Sequence, residues 1–334
     1  MDNILVERRE EKDASISLIR MVAMSFIIIC HIFQTYGNEL AWWFNVGVQI
    51  FLIISGYLYS KKDYSKESPL NILKKQFKKI LLPYYLWLPI VIVLYSFLCP
   101  QYLSFTRIIK YILCCGVLEG QEHFWFITYI LFCYLVTPYL YWIKSLAKDY
   151  SLIKTIVYYC FVVILFIILT IAFHSYFNAS YIVCYFIGYF IGDIFIKYKK
   201  KFNIIYIITL CFALLFCGLK IYLLYINPVS LSGIVLSIFN LFKLYSHLLL
   251  GLAIFLTLLK LPNINYNKVL SFSDKYSYEI FIVHSLFIRS SFHLLYITDY
   301  NMLNIIMAVF CTIIAGILYK KICKCIYKTL KINA

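Results

Sequence analysis

Ionisable side chains are costly at membrane depth, so where a long apolar run carries them they mark either helix contacts or chemistry. The first such run in this sequence holds Arg20 and His31, eleven positions apart. On a helix that spacing is about three turns, roughly 16 Å along the axis and within about 20° of one face. Neutral imidazole accepts a proton near pH 7, which makes His31 a candidate general base. Arg20 as a snorkelling anchor and His31 as a packing hydrogen-bonder is the alternative reading. Glu122 and His123 open a later apolar run at about the depth of His31 and offer it a carboxylate or imidazole partner. Asn240, Lys243 and His247 recur at helical spacing in one further run, and Arg289 and His293 stand one turn apart in another. Those residues either line an external polar pocket or satisfy one another between helices. Trp42 and Trp43 stack on a sugar or belong to an interfacial aromatic belt.

The elements that must position these groups are membrane helices. Of 334 residues, 63% are hydrophobic and only 14% charged, with mean hydropathy +0.84, which excludes a soluble globular protein. Continuous apolar blocks exclude a barrel of short alternating strands. The pattern predicts an all-α integral membrane bundle of ten helices, at 16–36, 44–60, 80–99, 124–142, 152–173, 181–197, 203–226, 233–259, 277–298 and 301–320. The first run reads as a span and not a cleaved signal, because it is interrupted by Arg20 and His31 and has no small-residue cleavage site. Lysines and arginines crowd the N-terminal segment 1–15, the connections after the second, fourth, sixth and eighth spans, and the basic tail 321–334. The alternate connections around 174–180, 227–232 and 297–301 hold none, so both termini are expected on the cytoplasmic side. The net charge of +16 is therefore a topology signal and implies no nucleic-acid partner. The connection Pro100–His123 carries Arg107, Lys110, Glu119 and Glu122, and its middle is expected to lie along the membrane surface as an amphipathic segment. Twelve cysteines are scattered without metal-ligand spacing and read as small buried hydrophobes, so no metal is expected. Gly188 and Gly192 have the spacing of close helix packing. No repeat or linker divides the chain, and 1–334 reads as one membrane-embedded domain.

Five segments, in order, resemble those of the acyltransferase-3 family of integral membrane O-acyltransferases. Arg20 and His31 match its Arg-x10-His signature, and Gly47-Val-Gln-Ile-Phe-Leu-Ile-Ile-Ser-Gly-Tyr-Leu58 its Phe-x3-Ser-Gly segment. Lys75-Gln-Phe-Lys-Lys-Ile-Leu-Leu-Pro-Tyr-Tyr85 is similar to its basic loop ending in Pro-Tyr. His123-Phe-Trp-Phe-Ile127 and Ser277-Tyr-Glu-Ile-Phe-Ile-Val-His284 are similar to two further segments. The chain departs from the family in offering Lys where Arg is frequent and Gln49 where many members have an acid, and Ile130 and Leu131 replace the paired Glu of one branch.

The resemblance implies transfer of an acyl group, usually acetyl, from cytoplasmic acetyl-CoA or another acyl-CoA. The acceptor would be a hydroxyl of a cell-surface polysaccharide or its lipid-linked precursor, with capsule or exopolysaccharide first in line. Lys75, Lys78 and Lys79 would hold the anionic end of the donor, and its pantetheine arm would bring the thioester to His31. His31 would act as base and Arg20 would hold the donor or a partner carboxylate. His123 or His284 would orient the base or stabilise the oxyanion, with Glu122 beside them. Direct transfer is favoured over an acyl-enzyme. Trp125, Lys243, His247, Arg289 and His293 would contact the acceptor. Membrane lipids and the glycan are the expected partners, and a bacterial plasma membrane the expected location. A glycan transporter or polymerase is the competing class.

Overall fold

The computed structural model describes residues 14–62, 68–116, 118–146, 178–197, 202–226, 232–261 and 264–330, together with positions 164 and 168. Every regular element among them is helical, the form in which a segment pairs its own backbone groups inside a bilayer. The chain runs through α1 (Ala14–Thr35), the short α2 (Ala41–Phe44), α3 (Val46–Ser60), α4 (Pro69–Leu98) and α5 (Phe105–Ile112). It continues as α6 (Trp125–Leu146), α7 (Ser180–Lys197), α8 (Phe202–Ile221), α9 (Gly233–Leu259), α10 (Lys268–Ile288) and α11 (Asn301–Thr329). Single turns at Glu122–Phe124 and Leu294–Tyr296 matter for the site. Seven of the described helical stretches are long and apolar enough to cross a membrane, and the protein is a multi-pass membrane protein.

Helix ends differ from the sequence reading where a cap intervenes. The span expected at 80–99 begins at Pro69, because Ser68 caps it through the Asn71 amide and proline suits the first helical position. Lys75, Lys78 and Lys79 therefore stand on a helix and not in a loop. The span expected at 277–298 is α10, which starts at Lys268, where the Asn267 side chain accepts from the Val269 and Leu270 amides. It stops at Ile288, as the Arg289 and Ser290 amides both turn onto the Ser285 carbonyl. Arg289 and His293 are thus not one helical turn apart. The last helix runs to Thr329, so the expected tail begins as helix. The span expected at 152–173 falls outside the described residues, isolated positions excepted.

The described residues fall into two compact units. One comprises those within Met1–Phe26, Asn45–Lys61 and Tyr150–Lys275. Its tightest packing is α3 against α7, where Gly188 meets the Ile53 carbonyl and Gly192 meets Ser60 and the Tyr57 carbonyl. The other comprises those within Ile27–Phe44, Lys62–Asp149 and Tyr276–Ala334. There Ile32, Ile288, Leu295 and Ala308 form a buried apolar cluster joining the ends of α1 and α10 to α11. The same corner is pinned by hydrogen bonds from the Thr35 hydroxyl to the Ile288 carbonyl (2.8 Å) and from Tyr36 to the Leu295 carbonyl (3.0 Å). Within Pro100–His123, the helix α5 leaves Phe105, Ile109 and Ile112 exposed while Tyr111 is buried, as an amphipathic segment would.

Candidate active site

The second unit gathers three histidines from three separate stretches of sequence. His31 comes from the last turns of α1, His123 from the turn before α6, and His284 from the last turns of α10. The His31 and His284 rings stack with centroids 5.1 Å apart, and His123 meets His284 edge-on at 4.6 Å. His123 is 4% exposed and His284 fully buried, whereas His31 is half-buried. His31 is therefore the most accessible of the three. Among the described residues no group of three His, Cys, Asp or Glu side chains is arranged to hold a metal ion.

A sharp turn delivers His123. Gly120 takes φ +72°, a left-handed conformation that glycine adopts without strain, and a Cβ there would lie 2.7 Å from the Ser290 Cα. Its amide donates to the Glu122 carboxylate (2.8 Å) and its carbonyl accepts from the Ser285 hydroxyl (2.5 Å), fastening the turn to α10. Glu122 also faces the Arg289 guanidinium, Nε to Oε2 3.8 Å. Its carboxylate is thus directed at Arg289 and Gly120, and the partner of His31 is a residue absent from the sequence reading: Gln34, whose Oε1 lies 2.8 Å from the His31 Nδ1. Gln34 is one helical turn beyond His31, a spacing that could have drawn attention to it.

Hydrogen bonding fixes where the protons sit. The His284 Nδ1 is 2.6 Å from the Phe281 carbonyl, which can only accept, so Nδ1 carries the proton and Nε2 presents a lone pair. Neutral His284 in this tautomer has no Nε2 proton to donate, and its ring stacks on that of His31. His123 packs edge-on to Phe281 at 5.2 Å.

The remaining candidates divide between the two units. Arg20 belongs to the first unit, where its Nη1 donates to Asp274 at 3.0 Å, giving it a carboxylate partner. Asp274 also accepts from Ser17 (2.7 Å) and Tyr266 (3.2 Å), and sequence reading missed Asp274 because Arg20 is 254 positions away. Lys243 and His247 are also in the first unit, Lys243 over the Phe239 ring at 5.2 Å and His247 buried. In the second unit Lys75 and Lys79 are exposed and Lys78 half-buried along one end of α4. Trp125 packs edge-on to Tyr129 at 5.5 Å. His293 accepts the Leu295 amide through Nδ1 (3.3 Å), which requires it to be neutral there, and burial lowers its pKa in that direction.

Among the described residues every regular element is helical, and a half-buried histidine lies against a cluster of two buried ones. The family model described as an acyltransferase domain, that of the acyltransferase-3 family, matches residues 13–320, and the chain belongs to that family of acyltransferases. No curated protein and no solved structure matches the chain.

Proposed function

We propose that the protein is a membrane O-acyltransferase that moves an acetyl or similar short acyl group from cytoplasmic acyl-CoA to a hydroxyl of a cell-surface polysaccharide or its lipid-linked precursor, in capsule or exopolysaccharide formation. The observation that carries this reading is the half-buried His31 within the three-histidine cluster of an acyltransferase-3 chain. The acceptor oxygen attacks the thioester carbonyl while His31 takes the hydroxyl proton. The tetrahedral oxyanion collapses, the carbon–sulfur bond breaks, and the imidazolium returns its proton to the departing CoA thiolate. Proton balance is complete with no acyl-enzyme. Lys75, Lys78 and Lys79 supply positive charge for the anionic nucleotide end of the donor. Trp125 contacts the acceptor, and the Glu122–Arg289 pair lies on the Gln34 side of His31. Arg20 braces the other half of α1 through Asp274.

The test is a proton NMR spectrum of surface polysaccharide from bacteria carrying the intact gene, no gene, or the His31→Ala version. An O-acyl signal present only with the intact gene is expected, and it identifies both the group and the sugar position. Equal acylation in the His31→Ala strain, with the variant inserted at normal level, removes His31 from the mechanism. Loss of the whole polymer, in place of its acyl group, would favour a glycan transporter or polymerase.

A further inference from the structure

Gln34 was not among the residues whose type or spacing suggested chemistry, yet its side-chain oxygen is held from two sides. His31 Nδ1 lies 2.8 Å from Oε1, and the Arg289 Nη1 donates to the same atom at 2.5 Å. An amide side chain presents an acceptor at one end and a donor at the other, and which is which follows from its neighbours. A guanidinium has donors only, so the atom facing Arg289 is oxygen. With oxygen fixed at that position, His31 Nδ1 can form its 2.8 Å contact only by donating a proton. In neutral imidazole the other nitrogen, Nε2, then carries the lone pair. Arg289 is itself held from behind by the Glu122 carboxylate, at 3.8 Å from its Nε. Glu122 is anchored in turn by the Gly120 amide.

We propose that Gln34 is a positioning residue that sets the tautomer of His31, with Arg289 as the group that sets the orientation of Gln34. The inference rests on His31 being the base of the proposed acyl transfer. It assigns the relay Glu122–Arg289–Gln34 to the base, where sequence reading had placed Arg289 against the acceptor. A neutral amide does here what a buried carboxylate does behind a triad histidine: it holds the ring in the tautomer that leaves the reactive nitrogen bare. Without the oxygen, a water or a reoriented group leaves both tautomers open, and molecules with Nε2 protonated cannot accept from the hydroxyl.

The tautomer can be read without substrate. Nitrogen-15 spectra of histidine-labelled protein, with the His31 signals identified by their loss in His31→Asn, report which ring nitrogen carries the proton. Wild type is expected to show Nδ1–H at His31. Gln34→Met, which keeps length and removes the acceptor, and Arg289→Met, which frees the amide to turn, should both move His31 toward Nε2–H. Gln34→Glu retains an acceptor and should keep Nδ1–H. In transfer assays with acetyl-CoA, Gln34→Met should lower kcat on the order of 100-fold with KM for the donor little changed, and Gln34→Glu should restore most of the loss. An Nε2–H His31 in wild type, or an unchanged Nδ1–H His31 in both Met variants, overturns the proposal. A Gln34→Met protein with normal kcat does the same. If the tautomer shifts as described but His31→Ala still transfers, the relay stands and the role of His31 as base falls.

Discussion

Asp274 shows what one side chain can organise. Its carboxylate, only 10% exposed, accepts from Arg20 and Ser17, both more than 250 positions away, and from the nearer Tyr266. Asp274→Ala strips all three at once and should cost roughly 1–3 kcal/mol, between the value of a surface pair and that of a buried one. Arg20→Ala leaves two hydroxyl donors on the carboxylate and should cost less. The double variant should be no worse than Asp274→Ala alone, because the arginine has nothing left to hold; thermal unfolding in detergent reads all three, and additive losses would mean the pair is not one unit. The same scale decides the role of His284. If it orients His31 through ring stacking, His284→Phe retains a ring at that position and His284→Ala does not. The alanine variant should lose about 100-fold in kcat, as a misplaced reacting group does, and the phenylalanine variant clearly less. Equal loss in both would make His284 a proton carrier. Arg20, His31, His123 and His284 were all legible as residue types, but Asp274 and Gln34 were not: an Asp in an expected loop and a Gln at a helix end carry no signal until the partner is placed.

Helix interiors followed directly from apolar runs, whereas helix ends depended on single polar side chains. Ser68 and Asn267 each started a helix well before hydropathy alone would have, since a cap works as well on a charged first turn as on an apolar one. The packing of α3 against α7 was legible in the Gly188 and Gly192 spacing, although its partner helix was not. A Cβ on Gly188 would lie 2.1 Å from the Ile53 carbonyl, so Gly188→Ala must push the helices apart and should cost about 1–3 kcal/mol. Gly218 in α8 has nothing within 4 Å of the same position, and Gly218→Ala should be neutral or stabilising by up to about 1 kcal/mol through helix propensity. The unfolding midpoint should therefore fall for Gly188→Ala and hold or rise for Gly218→Ala, and equal shifts would remove the close crossing as the cause. The turn after α10 makes a pH prediction. His293 must be neutral to accept the Leu295 amide, and its pKa is lowered by burial, so the folded form binds fewer protons than the unfolded one. The cap is complete above the ordinary histidine value of about 6.5 and weakens as pH falls below it. Hydrogen exchange at the Leu295 amide, corrected for intrinsic rate, should be faster relative to the neighbouring helix at pH 5 than at pH 7.5. A ratio that does not change with pH would remove His293 from the cap.

At the scale of the whole molecule, the class was legible from composition and the family from five short segments spread along the region that the family model matches, residues 13–320. The expected ten crossings include a run at 152–173 that lies outside the described residues, isolated positions excepted. The seven clearly apolar helical stretches among the described residues are an odd number and, taken alone, would place the two ends of the described chain on opposite faces. The charges argue against that. Arg8, Arg9 and Lys12 at one end and Lys320, Lys321, Lys324 and Lys328 at the other are both of the kind retained on the cytoplasmic side. An even count is reached only if an odd number of further segments cross, and the candidates are α7, α10 and the apolar run at 152–173. All three crossing gives ten. The α10 sequence carries Asp274, Lys275 and Glu279 in its first half, which lowers its hydropathy, but Asp274 is paired to Arg20 and Glu279 to Lys320 at 2.9 Å. Such pairing reduces the cost of placing these groups near the membrane, so its hydropathy alone does not exclude a crossing by this helix. Fusions settle the matter: a fluorescent protein joined after Leu330 should mature inside the cell, and alkaline phosphatase joined after Asn227 should be active outside. Phosphatase activity from a fusion after Leu330 would require an odd number of crossings and would exclude the ten-helix topology.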